Sequence, residues 1–165
     1  MSIHRAYIAL GSNLGDAAAN VERGFGELAR MGTIFRRSSL YRTQPWGQTD
    51  QPEFINAVAL LETPLAPRAL LDALKAAENR LGRTAGERWG PRVIDFDILT
   101  YDDLEIDEPG LRVPHPYMHE RAFVLVPLAE IDPRYEPLRD ALSETVLMGV
   151  VRIDAKGERV SRPSD

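Results

Sequence analysis

The chain has 165 residues, 44% of them hydrophobic, enough for one domain with a buried core over residues 1–165. A net charge of −5 with 27% charged residues suits an ordinary globular protein, and an acidic balance argues against nucleic acid or an anionic membrane as partner, since both call for a basic face. There are no cysteines, which excludes disulfides and thiolate chemistry; MSIHRAYIALGSN carries too short an apolar run for a signal peptide or a membrane span, so a cytoplasmic location is the expectation.

AYIAL, residues 6–10, reads as a buried strand ending at Gly11. Leu14, Ala18, Val21, Phe25 and Leu28 then recur at helical spacing, with Asn13 as N-cap and Gly32 as terminator. Gly24 and Gly26 weaken that helix by roughly 1 kcal/mol each, so packing must hold it. TIFRRSSLYRT, 33–43, reads as one strand, QPWGQTDQP, 44–52, as an exposed loop, and FINAVALLET, 54–63, as another strand. Pro67 suits the first turn of a helix with Leu70, Leu74, Ala77 and Leu81 as its stripe and Gly82 as its stop. Residues 83–92 form a Gly- and Arg-rich loop whose composition favours mobility. VIDFDILTY, 93–101, is a strand, with LEID as a candidate short partner after the turn at Asp102 and Asp103. VPHPYMHE leads into a helical RAFVLVPLAEI that Pro127 should disturb. A helix near 138–147, a strand at 150–153 and a frayed tail from about 154 complete the chain. The order strand, helix, strand, strand, helix, strand is that of a ferredoxin-like α+β fold with a mostly antiparallel sheet.

ERWGPRVIDFDIL, 87–99, contains the anomaly. Asp95 and Asp97 share one strand face with Val93 and Leu99, whereas Ile94, Phe96 and Ile98 share the other. Strand rise puts the two acidic residues about 6–7 Å apart along the backbone. Two carboxylates on partly apolar ground repel, and a divalent cation relieves that; hard oxygen donors favour Mg²⁺. The other reading of the pair is a solvated polar strand face. Arg80, Arg83, Arg88, Arg92, Arg112, His115, His119 and Arg121 crowd the middle of the chain, either for a small anionic ligand or as a solvated arginine-rich face. Carboxylates for metal and arginines for phosphate suit phosphoryl transfer, yet neither GxxxxGK[ST] nor GxGxxG is present, and GSNLGD, 11–16, reads as a turn. Asn56 lies on the same face as Phe54 and Val58, where an amide needs a partner. Trp46, Phe54, Trp89 and Phe123 are either core or the walls of a slot for a flat ring whose edge Asn56 would read.

Taken in order, AYIALGSNLGD, SSLYRTQPWG, QPEFINAV, LGR, ERWGPRVIDFDIL and VPHPYMHERAFVLVPLAEI resemble the 6-hydroxymethyl-7,8-dihydropterin pyrophosphokinases of folate biosynthesis, over roughly residues 5–132. The resemblance implies a three-layered α/β/α arrangement of the ferredoxin-like domain. It implies transfer of the diphosphate of ATP to the pterin hydroxymethyl group with release of AMP, with ATP and the pterin as small-molecule partners; separately, a monomer is the expectation for the working unit. Asp95 and Asp97 would hold two Mg²⁺ ions. Thr43, Pro45, Trp46, Phe54, Asn56 and Phe123 would form the pterin pocket. Trp89 and Arg92 would lie on a loop that closes over both substrates, and Arg92, His115 and Arg121 would meet the triphosphate. Glu78, Ile98 (through its backbone), Leu111 and Arg112 would lie near the nucleotide, and Arg83 would fill the family's Gly-Arg position with a catalytic role. Two departures stand out: Ala85 occupies a place where many members have a second arginine, and Trp46 is a bulkier wall than the aliphatic residue of some members. Competing readings are an ordinary kinase, a two-metal hydrolase and a non-enzymatic ferredoxin-like binding domain.

Overall fold

A computed structural model describes residues 2–43, 53–82, 93–154, 156 and 158–160. Strand β1 (His4–Ser12) runs through the middle of the sheet, antiparallel to β4 (Phe54–Thr63) on one side and β5 (Asp95–Tyr101) on the other. β3 (Leu40–Thr43) and β2 (Thr33–Arg37) both pair with β4, and β8 (Val150–Ile153) extends the sheet beyond β3. The order is β5-β1-β4-β3-β8, and every pairing is antiparallel.

Side-chain alternation along these strands creates two apolar faces. Ala6, Ile8, Leu10, Phe96 and Ile98 point to one, which is covered by α1 (Ala17–Leu28) through Val21, Phe25 and Leu28 and by α2 (Pro67–Arg80) through Leu70, Leu74 and Ala77. Tyr7, Val58, Leu60 and Leu99 point to the other, covered by α3 (Ala122–Ile131) through Val124, Leu128 and Ile131. This is the three-layered, ferredoxin-like α+β arrangement. Each fully buried Leu or Val on these faces contributes roughly 1.5–3 kcal/mol. Gly24 is where α1 lies closest to the sheet: a Cβ there would stand 2.9 Å from Leu10 Cδ2, so close packing offsets the poor helix propensity of glycine.

Several boundaries differ from expectation. α1 begins at Ala17, not Leu14, because Gly15 turns the chain at φ +63° and Asp16, not Asn13, caps the helix by accepting the Ala19 amide at 3.1 Å. TIFRRSSLYRT is two strands: the Ser38 hydroxyl accepts the Val58 amide at 2.9 Å, Glu130 holds Ser39, and the break falls between them. LEID does not pair with β5. Ile106–Glu108 (β6) forms a hairpin with Leu111–Val113 (β7), the local partner across the turn at Gly110. Pro127 sits inside α3 without ending it; its neighbours Val124, Leu125, Val126 and Leu128 are all buried, and that packing outweighs one missing amide donor. The C-terminal helix is two short ones, α4 (Glu136–Asp140) and α5 (Glu144–Met148), because Ser143 caps a new start by accepting the Val146 amide. Among the described residues, no helix is long and apolar enough to cross a membrane.

Candidate active site

The acidic pair stands at the start of β5, on the face covered by α3. Directly opposite residues of an antiparallel pair share a face, so the register lays out two rows across the sheet. Asp95 faces Gly11, Gly11 faces Asn56 and Asn56 faces Tyr41; one step along, Asp97 faces Ala9 and Ala9 faces Val58. Asp95 and Asn56 are therefore two strand spacings apart, about 10 Å, with no side chain at Gly11 between them. The absence matters: a Cβ at Gly11 would stand 2.9 Å from Asn56 Oδ1.

Asp97 is exposed, Asp95 half-buried, and each side chain rises from a floor of small residues. That suits hard oxygen donors meeting a cation that also takes ligands from substrate and water. Among the described residues no third carboxylate or imidazole completes an all-protein metal cage, which is how Mg²⁺ sites for phosphate substrates are built.

β7 leads through a cis Val113–Pro114 bond to His115, whose amide donates to the Leu99 carbonyl at 2.8 Å and so anchors this segment on β5. The Tyr117 amide donates to His115 Nδ1 at 3.3 Å, leaving Nε2 to carry the proton of the neutral ring. Burial lowers the His115 pKa; the negative charge of Asp97 opposes that shift and the positive charge of Arg121 adds to it. The His115 ring thus stands within electrostatic reach of both Asp97 and Arg121. The Arg121 guanidinium lies 5.2 Å from the Tyr117 ring centre and 5.6 Å from that of Phe123.

On the Asn56 side, the amide is only 7% exposed and its Nδ2 donates to Thr43 Oγ1 at 3.4 Å. Thr43 faces Phe54 across β3 and β4 on this same sheet face, and Phe123, at the start of α3, packs against its apolar cluster. α3 is held there by Glu130, which accepts from the Ser39 amide (2.8 Å), the Ser39 hydroxyl (2.7 Å) and the Tyr41 hydroxyl (2.8 Å).

Asp95, Asp97, His115 and Arg121 thus come together at one end of the α3 face, with Thr43, Phe54, Asn56 and Phe123 beside them. Four other expected residues stand apart. The Ile98 and Leu111 side chains belong to the core on the opposite face, so of Ile98 only the backbone, on the outer strand of the sheet, can meet a ligand. Arg112 is largely exposed and lies 3.4 Å from Asp107. The Glu78 carboxylate is buried behind β5, where it accepts the Phe96 amide at 2.9 Å. Arg80, part of the basic crowd, joins α2 to α1 through Glu27 at 2.7 Å and so serves the fold. Pro45, Trp46, Arg83, Arg88, Trp89 and Arg92 lie outside the described residues, as does the loop expected to close over the substrates. Sequence reasoning missed Gly11, whose strand-ending position beside a turn masked its closeness to Asn56. It also missed Glu130, which looks like any charged residue late in a helix. Away from this site, a cleft of about 600 Å³ opens near the other end of the sheet, lined by Arg5, Tyr7, Phe35, Arg36, Asp132 and Arg134 among others. Its lining sets Arg5, Arg36 and Arg134 against Asp102, Asp103 and Asp132, with Arg134 paired to Asp132 at 2.7 Å, so neither sign is in surplus.

Residues 7–133 match the family model described as 7,8-dihydro-6-hydroxymethylpterin-pyrophosphokinase (HPPK). The chain belongs to this family. A 2-amino-4-hydroxy-6-hydroxymethyldihydropteridine pyrophosphokinase of Methylorubrum extorquens is 45% identical over 156 residues, covering 91% of this chain and 99% of that one. The protein of the same name from Pseudomonas aeruginosa is 46% identical over 133 residues, covering 79% of this chain and 82% of that one. Among solved structures, wild-type HPPK-DHPS of Plasmodium falciparum with SDX-DHP superposes with a TM-score of 0.70 at 16% identity, over 91% of this chain and 47% of that chain. An HPPK-DHPS in complex with substrates gives 0.74 at 13% identity, over 92% and 47%. At such identities the structural likeness is one of fold, and within the HPPK family it places this chain on the expected ferredoxin-like frame.

Proposed function

We propose that the protein transfers the diphosphate of ATP to the hydroxymethyl group of 6-hydroxymethyl-7,8-dihydropterin and releases AMP, a step of folate biosynthesis. Membership of the HPPK family supports this, and so do the names of relatives about 45% identical. The structural observation that supports it is the row Asp95–Gly11–Asn56: a carboxylate and a buried amide share one sheet face about 10 Å apart, as a cation ligand beside a ring-reading group would require.

Asp95 and Asp97 would hold two Mg²⁺ ions against the ATP phosphates. When bound, the ions neutralise charge at the β-phosphorus, so that an oxygen nucleophile can approach it. His115 offers an Nε2–H and Arg121 a guanidinium to the phosphate oxygens. On the other side, Asn56 and Thr43 would hydrogen-bond the pterin edge, and Phe54 and Phe123 would flank its ring. Trp89, Arg83 and Arg92 are assigned to the phosphate side, and Pro45 and Trp46 to the pterin wall. Held this way, the hydroxymethyl oxygen would approach in line with the bond to be broken. A new O–P bond forms at the β-phosphorus while the bond from that phosphorus to the α,β-bridging oxygen breaks. AMP leaves with the bridging oxygen, and the hydroxyl proton is released. Positioning and electrostatics are sufficient, and no covalent enzyme intermediate is needed.

The test is to incubate the protein with ATP, Mg²⁺ and the hydroxymethyl dihydropterin and to resolve the nucleotides. AMP in one-to-one ratio with a diphosphorylated pterin is expected. ADP as the product would mean an ordinary kinase, and inorganic phosphate alone a hydrolase.

A further inference from the structure

We propose that Glu78 is a positioning residue for the acidic pair: from α2 its carboxylate holds the backbone between Asp95 and Asp97, and thereby sets how the two carboxylates present themselves to Mg²⁺. The inference rests on the reading of the site given above and concerns a residue whose carboxylate is turned onto the strand backbone at Phe96.

Three observations carry it. First, Glu78 is only 3% exposed, and its Oε2 accepts the Phe96 amide at 2.9 Å. That amide belongs to the one residue between the two aspartates. A bond from a backbone N–H to an ionised carboxylate is about twice as strong as a neutral one, and a buried carboxylate costs free energy unless it is so engaged. Second, β5 is the outer strand of the sheet, and among the described strands it pairs with β1 alone. Asp95 is its first residue, so at this end no neighbouring strand among the described residues holds the outward-facing groups. The stretch bearing the aspartates is therefore terminal and, among the described strands, paired on one side only, and the Glu78 bond holds its outer side at Phe96. Third, the anchor is rigid. Leu70, Leu74 and Ala77 seat α2 in the core, and Arg80 ties it to α1 through Glu27. Outer groups that orient metal ligands through hydrogen bonds are worth about ten- to a hundredfold in metal affinity.

The experiment uses the full chain and an ATP analogue with a methylene in place of the α,β-bridging oxygen, with Mg²⁺ binding followed by calorimetry. Glu78→Ala should raise the half-saturating Mg²⁺ concentration by about tenfold or more, and pterin affinity should change little. Glu78→Gln keeps an oxygen acceptor and should stay within about threefold of the parent. Hydrogen exchange supplies a readout independent of ligands. The Phe96 amide should exchange faster in Glu78→Ala than in Glu78→Gln, while the Val58 and Leu60 amides of the central strand stay protected in both. Unchanged Mg²⁺ affinity in Glu78→Ala overturns the inference. So does a parallel loss of Mg²⁺ affinity, pterin affinity and central-strand protection, which would make Glu78 merely structural. If Glu78→Ala does not fold, Glu78→Gln decides: a large loss of Mg²⁺ affinity with the Val58 and Leu60 amides protected overturns the hydrogen-bond account. Should the parent protein bind neither Mg²⁺ nor the analogue, the reading of the whole site fails first, and this inference with it.

Discussion

Gly11 separates the acidic pair from Asn56, and Gly11→Ala tests whether that separation is functional. The added methyl would stand 2.9 Å from Asn56 Oδ1, with the Ile55 carbonyl next at 3.9 Å. The Asn56 backbone is fixed by pairing with Gly11 on one side and Tyr41 on the other, so the side-chain amide must turn. Turning it misaligns the 3.4 Å contact with Thr43 and any bonds to a pterin edge, and such bonds weaken steeply with angle. One or two of them, at about 1 kcal/mol each, mean pterin binding weaker by roughly five- to thirtyfold. The fold should survive, since overpacking costs about 1–3 kcal/mol and relief of a strand glycine returns about 0.5–1. The three atoms nearest the new methyl belong to Ile55 and Asn56, so binding of Mg²⁺ and an ATP analogue should stay close to the parent. Pterin binding by fluorescence and nucleotide binding by calorimetry, in the parent, both single variants and Gly11→Ala combined with Asn56→Ala, complete a double-mutant cycle. With Asn56 gone, Gly11→Ala should cost pterin affinity almost nothing. If it costs the same factor with and without Asn56, or weakens nucleotide binding equally, the amide is not what Gly11 makes room for.

Asp95→Ala and Asp97→Ala should each abolish turnover while leaving the thermal midpoint nearly unchanged, because both side chains are at least partly exposed and neither belongs to an apolar cluster; near-native activity with Mg²⁺ in either variant would remove the pair from the metal site. Asn56→Ala should weaken pterin binding by roughly thirtyfold, the worth of about 2 kcal/mol of edge hydrogen bonds, and ATP binding far less; equal loss of both would take Asn56 out of the pterin pocket. Asp132 tests stability against pH. The Arg134 guanidinium, followed by the Tyr7 hydroxyl, holds its pKa at about 2 against an ordinary 3.8. A lowered carboxyl stabilises the fold above its unfolded value and loses that contribution as pH falls through the folded one. Linkage over that interval gives about 2 kcal/mol, reduced toward 1 because Arg134 is 76% exposed. Asp132→Asn should therefore flatten the fall in urea stability between about pH 4 and pH 2, and an acid limb as steep as the parent's would refute the assignment.

The legible parts of the fold were those where a period and a boundary signal agree. FINAVALLET is a strand over its whole predicted length because an apolar run, Ala57–Leu61, fills its middle and both its faces are buried. α2 begins at Pro67 and ends before Gly82, where propensity, stripe and stop coincide. Illegible features depended on contacts distant in sequence. The split of TIFRRSSLYRT comes from Glu130, 91 residues away from Ser39, and no local property of SSLYR announces it. The shift of the first helix start is a different failure. Asn13 and Asp16 are both good caps, and the decision rests on the positive φ of Gly15, which makes helix impossible before it.

The acidic pair was legible because function there contradicts folding: a strand with one apolar face and two carboxylates on the other has no packing reason for them. Asn56 was half-legible for the same reason, as an amide on an apolar face. The residues that make these two groups a site carry no such contradiction. Gly11 reads as the end of a strand, and glycines end many strands; only pairing of β1 with both β4 and β5 shows it as the gap between carboxylate and amide. Glu78 reads as a polar residue in the last turn of an amphipathic helix, and only burial shows its carboxylate turned inward onto the Phe96 amide. Groups that perform chemistry stand out in a sequence because they pay in stability for being there. Groups that position them satisfy the ordinary rules of a strand end or a helix face, so they become visible only when the elements are placed against one another.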